Sequence, residues 1–189
     1  MDSTGQATSL RINRRKAGLL VIDVQERLLP EMFGKENLIQ NCVRLIQGAT
    51  VLGLPIFSTE QYRKGLGTTV PEIATALGSA PAWEKLDFSA CAADGLLPSL
   101  QGRGVSDVVL CGIEAHVCVC QTCLDLLASG HRAFVVAGAI ASRTEQNQEL
   151  AIERMRAAGA AIVSTEMILF ELLERAGTDE FRRILELVK

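Results

Sequence analysis

Apolar residues in this chain follow two patterns that alternate along the sequence. Short runs such as Ala17–Asp23 are apolar up to a closing polar residue, whereas segments such as Glu36–Leu52 carry apolar residues three and four positions apart. The second pattern places apolar residues on one face of a helix. The first predicts strands with both faces buried, because a strand with one face in water alternates polar and apolar residues.

These patterns predict strands and helices in alternation. Strands are predicted at Ala17–Asp23, Pro55–Thr59, Pro81–Lys85, Val105–Cys111, Arg132–Ala137 and Ala160–Val163. Helices are predicted over Glu36–Leu52, from Pro71 onward, and over Ala93–Gln101, Val117–Ser129, Thr144–Ala158, Thr165–Arg175 and Thr178–Leu187. Glu60–Val70, which contains two glycines, is predicted to be a loop. We therefore expect an α/β fold with a doubly wound, mostly parallel six-stranded sheet and helices on both faces.

Length and composition favour one domain. The chain has 189 residues, of which 48% are hydrophobic and 4% aromatic, enough for one aliphatic core. We assign residues 1–16 to an N-terminal arm and 17–189 to the domain. For the arm, an extended segment over Ser9–Asn13 and a frayed tail remain alternatives. No apolar run reaches the ~20 residues of a membrane span, and no secretory signal is recognised, so we expect a cytoplasmic protein.

The charge and the cysteine content of the chain indicate which kinds of partner to expect and the redox state of its thiols. The formal net charge is −3 at pH 7, which does not predict the basic face of a nucleic-acid-binding protein. We expect a small-molecule substrate and no nucleic acid or membrane partner. The six cysteines are expected to be reduced thiols, since no export signal accompanies them.

Cys118 is the first candidate for chemistry. It lies at the N-terminus of the predicted helix Val117–Ser129, which follows the predicted strand that ends near Gly112. A thiolate at a helix N-terminus is stabilised by free N–H groups and the helix dipole, which predicts a nucleophile. Two alternatives remain: a small buried hydrophobic residue, and a metal or redox site that uses the CxxC formed by Cys120 and Cys123.

Asp23 and Lys85 are its candidate partners. Both follow predicted strands, and in parallel sheets the carboxyl ends of strands meet where ligands bind. Asp23 is a candidate general acid or base, with a helix N-cap as the alternative. Lys85 is a candidate for lowering the pKa of the thiol, with a solvated surface charge as the alternative.

Three segments resemble those of the isochorismatase-like cysteine hydrolase superfamily. They are Leu19–Gln25, Lys85–Ala90 and Cys111–Val119, which resemble its catalytic Asp, catalytic Lys and nucleophile segments in that order. The resemblance extends over nearly all of residues 17–189, and Thr59–Glu72 resembles an uncharacterised branch of the superfamily. It implies the doubly wound α/β fold, a homo-oligomer (dimer or higher) and catalytic roles for Asp23, Lys85 and Cys118.

The resemblance also implies finer features of the site. A cis peptide is implied between Ile113 and Glu114, with the backbone N–H groups of Glu114 and Cys118 forming an oxyanion hole. Nicotinamidases of the superfamily have an Asp/His metal cluster, but Ser58–Thr69 contains neither residue type. We therefore expect no metal and no cofactor. Members that hydrolyse isochorismate lack the cysteine, so its presence here argues against that reaction.

Together these observations predict a cysteine-dependent hydrolase of a small amide or another C–N bond that acts through a thioester acyl-enzyme. The alternatives are ether or ester hydrolysis on the same scaffold and a non-catalytic binding or redox-sensing protein. Pocket residues are expected within 28–33 and 61–66 and from a neighbouring subunit. The candidate substrate-binding residues are Gln25, Leu29, Gln61 and Tyr62.

Overall fold

A computed structural model describes residues 10–189. Residues 1–9 of the expected N-terminal arm, including Ser9, lie outside this range. Within it, six parallel strands form one sheet, as the apolar runs predicted. The strands are β1 (Ala17–Ile22), β2 (Ile56–Gln61), β3 (Ala82–Lys85), β4 (Asp107–Ile113), β5 (Arg132–Ala141) and β6 (Ala161–Val163).

Helices cover both faces of the sheet, so each face has its own hydrophobic core. One core includes Leu45 and Leu169, and the other includes Leu100 and Leu126. The helices are α1 (Lys35–Leu52), α2 (Arg63–Leu66), α3 (Pro71–Leu77), α4 (Leu96–Gly102), α5 (Cys120–Ala128), α6 (Glu145–Ala157), α7 (Thr165–Leu173) and α8 (Asp179–Val188). Residues of α1, α7 and α8 contribute to the first core, and residues of α4, α5 and α6 contribute to the second.

The strand order places a topological switch point at the centre of the sheet. The order is β3-β2-β1-β4-β5-β6, so the chain proceeds outward from β1 in one direction and then starts again at β4 on its other side. Carboxyl ends of strands at such a point form the ligand crevice of doubly wound folds. Asp23 directly follows β1, and the turn that contains Cys118 follows β4.

Gly112 allows β4 to approach β1 closely near this point. Its φ is +118°, and a Cβ built there would lie 2.0 Å from the carbonyl oxygen of Ile22. That position therefore requires glycine. The pairing of β4 with β5 shifts between Leu110 and Gly112, immediately before the segment that contains Cys118.

Three regions of the chain differ from the sequence prediction. The segment Glu60–Val70 is not all loop, because β2 continues to Gln61 and Arg63–Leu66 forms α2. The polar residues Glu60 and Gln61 at the end of β2 fit a buried strand because their side chains have hydrogen-bond partners there. The strand β5 runs four residues beyond Ala137, and a π-helical turn at Ala115–Val119 precedes α5.

The described residues before β1 pack against the domain. Ile12 is buried in the core beside α7, and the backbone N–H of Asn13 donates to Asp107 Oδ2 at 2.7 Å. Arg14 begins a short 3-10 helix and forms an ion pair with Glu180 of α8. None of the helices in residues 10–189 is both long and apolar enough to cross a bilayer.

Candidate active site

Asp23 lies at the centre of the site and is fully buried. Its Oδ1 accepts a hydrogen bond from Thr59 Oγ1 at 2.7 Å, and its Oδ2 accepts one from Lys85 Nζ at 2.6 Å. The backbone at Asp23 has a φ of +52°, which turns the chain away from the strand direction of β1. The helix N-cap alternative is wrong, because the side chain bonds across the sheet instead of capping a following helix.

Lys85 reaches Asp23 across the intervening strand β2. It is the last residue of β3, and its side chain is 1% exposed. Besides Asp23, its ammonium contacts Gln61 Oε1 at 2.6 Å and the carbonyl oxygens of Phe88 at 3.1 Å and Asp87 at 3.3 Å. The surface-charge alternative is therefore wrong. The ion pair is desolvated, and its hydrogen bonds fix the ammonium in place.

Cys118 lies in the π-helical turn that connects β4 to α5. It is 5% exposed, and both Asp23 and Lys85 interact with its thiol. The structure therefore brings all three predicted catalytic residues together. The peptide bond between Ile113 and Glu114, at the start of this turn, is cis.

The protonation state of Cys118 differs from the expectation. The pKa of its thiol is raised to about 12: burial is the largest cause, the charge of Asp23 also raises the pKa, and Lys85 partly offsets both by lowering it. The prediction of a thiol pKa lowered by the helix N-terminus and Lys85 is thus contradicted. The cause is physical: Lys85 is paired with Asp23, so its charge does not compensate for the loss of water around sulfur.

The buried residues Gln25 and Gln61 use their side-chain amides within the protein. Gln25 is 0% exposed, and its amide bonds to the backbone of Gln61 in β2 and to Gly67 O. Gln61 is 8% exposed, and its Nε2 donates to Leu86 O at 2.7 Å while its Oε1 accepts from Lys85. Both amides therefore hold elements of the site in position.

Leu29 and Tyr62, the other two candidate substrate-binding residues, are in different environments. Leu29 is 8% exposed and packs in the core on the α1 side of the sheet. Tyr62 is 48% exposed, follows β2 with a φ of +37°, and places its ring against Gly65. Of the four candidates, Tyr62 presents the most surface to a ligand.

Several residues that the sequence analysis did not single out support the site. Thr59 holds the second oxygen of Asp23. His116 Nδ1 lies 2.9 Å from Ser142 Oγ, and Arg143 Nε donates to Glu114 Oε2 at 2.8 Å, so both flanks of the nucleophile turn are tied to the end of β5. The available signal for Thr59 was the polar run Ser58–Gln61, which directly follows two apolar residues.

The side chains that the structure describes near the site do not form a metal-binding cluster. Among residues 10–189, no group of three or more His, Cys, Asp or Glu side chains could hold a metal ion. Glu60 at the end of β2 is engaged by Thr69 and by Arg63. Cys120 and Cys123 are free thiols, buried against the core, and burial raises the pKa of each.

Comparison with known proteins adds sequence relatives to this geometry. The Isochorismatase domain family matches residues 17–167. A Phytophthora sojae protein named Secreted isochorismatase effector Isc1 is 39% identical over 180 residues, which cover 90% of this chain and 83% of that protein.

Solved structures agree with the fold. A Caenorhabditis elegans protein described as MAR1 ribonuclease has a TM-score of 0.88 and 35% identity, with coverage of 94% of this chain and 92% of that one. YcaC from Pseudomonas aeruginosa, solved with hexane-2,5-diol and covalent acrylamide, has a TM-score of 0.88 and 25% identity, with coverage of 96% and 93%.

Proposed function

This chain belongs to the isochorismatase domain family, and we propose that within this family it is a cysteine-dependent hydrolase of small amides or related C–N bonds. One observation carries the proposal. A buried thiol, carboxylate and ammonium converge at the switch point of the sheet, and the carboxylate and ammonium lie 2.6 Å apart.

The first half of the proposed reaction acylates the enzyme. Asp23 accepts the proton of Cys118, and the sulfur attacks the carbonyl carbon of the substrate to form a C–S bond. The backbone N–H groups of Glu114 and Cys118 would donate to the oxyanion. The tetrahedral intermediate then expels the amine, which takes the proton from Asp23. The products of this half are the free amine and a thioester on Cys118.

The second half releases the acid. Asp23 accepts a proton from water, the oxygen attacks the thioester carbon, and the C–S bond breaks. The proton on Asp23 returns to the sulfur, so Cys118 and Asp23 recover their starting states. Lys85 keeps its charge throughout and balances whichever of the two groups is negative.

The raised pKa of Cys118 suits this scheme. A thiol with a pKa of about 12 is almost entirely protonated at neutral pH, so the nucleophile needs an adjacent base at the moment of attack. Asp23 is the base within reach. No metal is required in the proposed scheme, and within the described residues the side chains offer no metal site.

Two solved relatives bear on the choice of substrate. The covalent acrylamide in YcaC supports an accessible nucleophile in that protein, because acrylamide is an electrophile that alkylates nucleophiles. The ribonuclease description of the Caenorhabditis protein raises a rival, phosphodiester hydrolysis, which would leave no acyl group on sulfur. The two reactions therefore predict different covalent intermediates.

A screen of small amides, esters and short RNA against the wild type and Cys118→Ala tests the proposal. We expect amide turnover by the wild type, loss of turnover in the variant, and a thioester on Cys118 trapped by acid quench and seen by mass spectrometry. RNA cleavage retained in Cys118→Ala would overturn the proposal. Amide turnover that EDTA abolishes and zinc restores would overturn its metal-free part.

Location and assembly are also proposed. We propose a cytoplasmic homo-oligomer that takes a small-molecule substrate and no nucleic acid or membrane partner. A relative named as a secreted effector makes cell fractionation the direct test of location. Light scattering of the purified chain tests the oligomer, and a monomeric mass at working concentration would contradict it.

A further inference from the structure

The ammonium of Lys85 is surrounded by more acceptors than it has hydrogens. Four oxygens lie within 3.3 Å of its Nζ: Asp23 Oδ2, Gln61 Oε1, Asp87 O and Phe88 O. An ammonium group has three N–H donors. Because Cys118 also interacts with Lys85, a thiolate on Cys118 has to compete with these oxygens for a hydrogen bond.

Among these acceptors, Gln61 can be altered without touching the carboxylate or the backbone. Gln61 and Lys85 are register partners on adjacent parallel strands, so their side chains leave the sheet on the same face. The amide of Gln61 is also anchored at its other end, because Nε2 donates to Leu86 O at 2.7 Å. Its backbone N–H donates to Gln25 Oε1 at 2.7 Å. Gln61 Oε1 is therefore held toward Lys85.

We propose that Gln61 is a positioning residue that holds one hydrogen of Lys85 away from Cys118 and thereby limits how strongly the ammonium can stabilise a thiolate there. The inference rests on the proposed function, since it takes Cys118 as the nucleophile. It adds a determinant of nucleophile strength on β2, the strand that lies between Asp23 and Lys85. No covalent bond changes in this step, since one hydrogen bond only exchanges its acceptor.

The electrostatics of the crevice agree with this role. Asp23 and Lys85 are the charged groups that act on Cys118, and they shift the pKa of its thiol in opposite directions. Lys85 is the group that lowers this pKa, and its hydrogens point to oxygens. Without Gln61 Oε1, the sulfur would compete with one short contact, Asp23 Oδ2 at 2.6 Å, and with two longer ones to backbone oxygens at 3.1 and 3.3 Å. Weaker competition would strengthen the nucleophile without adding a charge.

The test measures the rate at which iodoacetamide alkylates Cys118 at pH 8.5, followed by peptide mapping. At this pH the rate is proportional to the thiolate fraction. Gln61→Met removes the acceptor at similar side-chain length, and we expect alkylation to become about tenfold faster, which corresponds to about one pKa unit. Gln61→Glu adds a carboxylate beside Lys85, and we expect alkylation to become about tenfold slower.

Asn41→Leu is the matched control. Asn41 is 8% exposed like Gln61, and both of its amide atoms are engaged, by Gly138 O and by Thr165 Oγ1. Its partners lie away from Lys85, so alkylation of Cys118 should stay within about twofold of wild type. Gln61→Asn shortens the side chain by one methylene and moves the same oxygen away from Lys85. It should therefore speed alkylation, as Gln61→Met does. This variant replaces Gln61→Met if the Met variant does not fold.

Each outcome distinguishes this inference from the function it rests on. Opposite responses of the two Gln61 variants support it. Responses in the same direction, or no response, overturn it. The alkylation rate of Lys85→Ala is measured in parallel. If Lys85→Ala slows alkylation while the Gln61 variants leave the rate unchanged, only the proposed role of Gln61 is wrong. If Lys85→Ala leaves the alkylation rate unchanged, the proposal that Lys85 and Cys118 belong to one site is wrong.

Discussion

Two buried carboxylates are paired with cations at opposite edges of the same sheet. Asp107 begins β4 at the amino edge, is 2% exposed, and accepts a hydrogen bond from Arg132 Nε at 2.9 Å. Asp23 follows β1 at the carboxyl edge and is bound to Lys85. By the burial and charge of the two carboxylates alone, the pairs are alike.

Their surroundings differ. Asp107 also accepts from the backbone N–H of Asn13, and the side chain of Arg132 is 30% exposed and lies over the ring of Phe134, so this pair fastens the segment before β1 to the sheet. The pair of Asp23 and Lys85 is closed off from solvent and lies beside a thiol. A buried ion pair is therefore weak evidence for a site, and the neighbouring nucleophile is what distinguishes the carboxyl edge.

The largest expected difference between the two edges is in catalysis. Asp23→Asn removes the proposed proton acceptor, and we expect turnover to fall by about 10²–10⁴. The same change should speed alkylation of Cys118, because the charge of Asp23 raises the pKa of that thiol. Asp107→Asn is the matched variant and should leave both rates near wild type. Equal turnover in Asp23→Asn and Asp107→Asn would remove the distinction between the edges.

The next difference is in stability. Lys85→Met leaves the carboxylate of Asp23 buried without its cation, and we expect the free energy of unfolding to fall by about 3–5 kcal/mol. Arg132→Met should cost about 1–2 kcal/mol, because that side chain is partly solvated.

The double variant Lys85→Met/Asp23→Asn gives the control. It removes both charges, so it should recover most of the lost stability but none of the activity. Chemical denaturation measures the free energy of unfolding of each variant. A double variant as unstable as Lys85→Met alone would mean that the lysine stabilises the fold through packing of its alkyl chain and not through the ion pair.

The six strands were located from the sequence, but the reason differs between the centre and the edge of the sheet. β1 and β4 are buried along their whole length, as their continuous apolar runs predicted, whereas β3 is largely exposed apart from Lys85. The end of β2 was missed because Glu60 and Gln61 are polar, and only their hydrogen-bond partners from elsewhere in the chain make a buried strand tolerable there.

The candidate site was predictable in its members but not in its electrostatics. Asp23 and Lys85 each follow an apolar stretch, and Cys118 lies at the turn into the helix that follows the run ending at Gly112, and both kinds of position can be recognised in the sequence. Whether Lys85 would pair with sulfur or with Asp23 depends on side-chain distances across three strands. That choice decided the direction of the pKa shift at Cys118, and the sequence expectation had the wrong sign.

The pH dependence of alkylation tests that sign. Because the pKa of Cys118 is raised to about 12, its thiolate fraction should grow about tenfold per pH unit from pH 7 to pH 10 without reaching a plateau. Cys91 is an internal reference, since burial raises the pKa of its thiol to about 11. Quantitative mass spectrometry of the two peptides measures both rates. A plateau for Cys118 below pH 9 would show a stabilised thiolate and restore the sequence expectation.

The smallest expected effect concerns a second ion pair at the carboxyl edge. Arg143 is bound to Glu114, whose backbone N–H is proposed to hold the oxyanion, but the Arg143 side chain is 59% exposed. We expect Arg143→Gln to change the free energy of unfolding by less than about 1 kcal/mol, because exposed pairs contribute little. The exposed pair of Arg182 and Asp179 on α8 gives the control variant, Arg182→Gln.

The two arginine variants should differ in catalysis and not in stability. If Arg143 orients the nucleophile turn through Glu114, Arg143→Gln should lower kcat about two- to fivefold with KM unchanged, since a small displacement of an oxyanion donor weakens only the transition-state contact. Arg182→Gln should leave kcat unchanged. A loss beyond about a hundredfold in Arg143→Gln would instead place the guanidinium in contact with substrate. The catalytic surface would then extend from the buried ion pair to the rim of the crevice, and burial would no longer separate the residues that react from those that only support them.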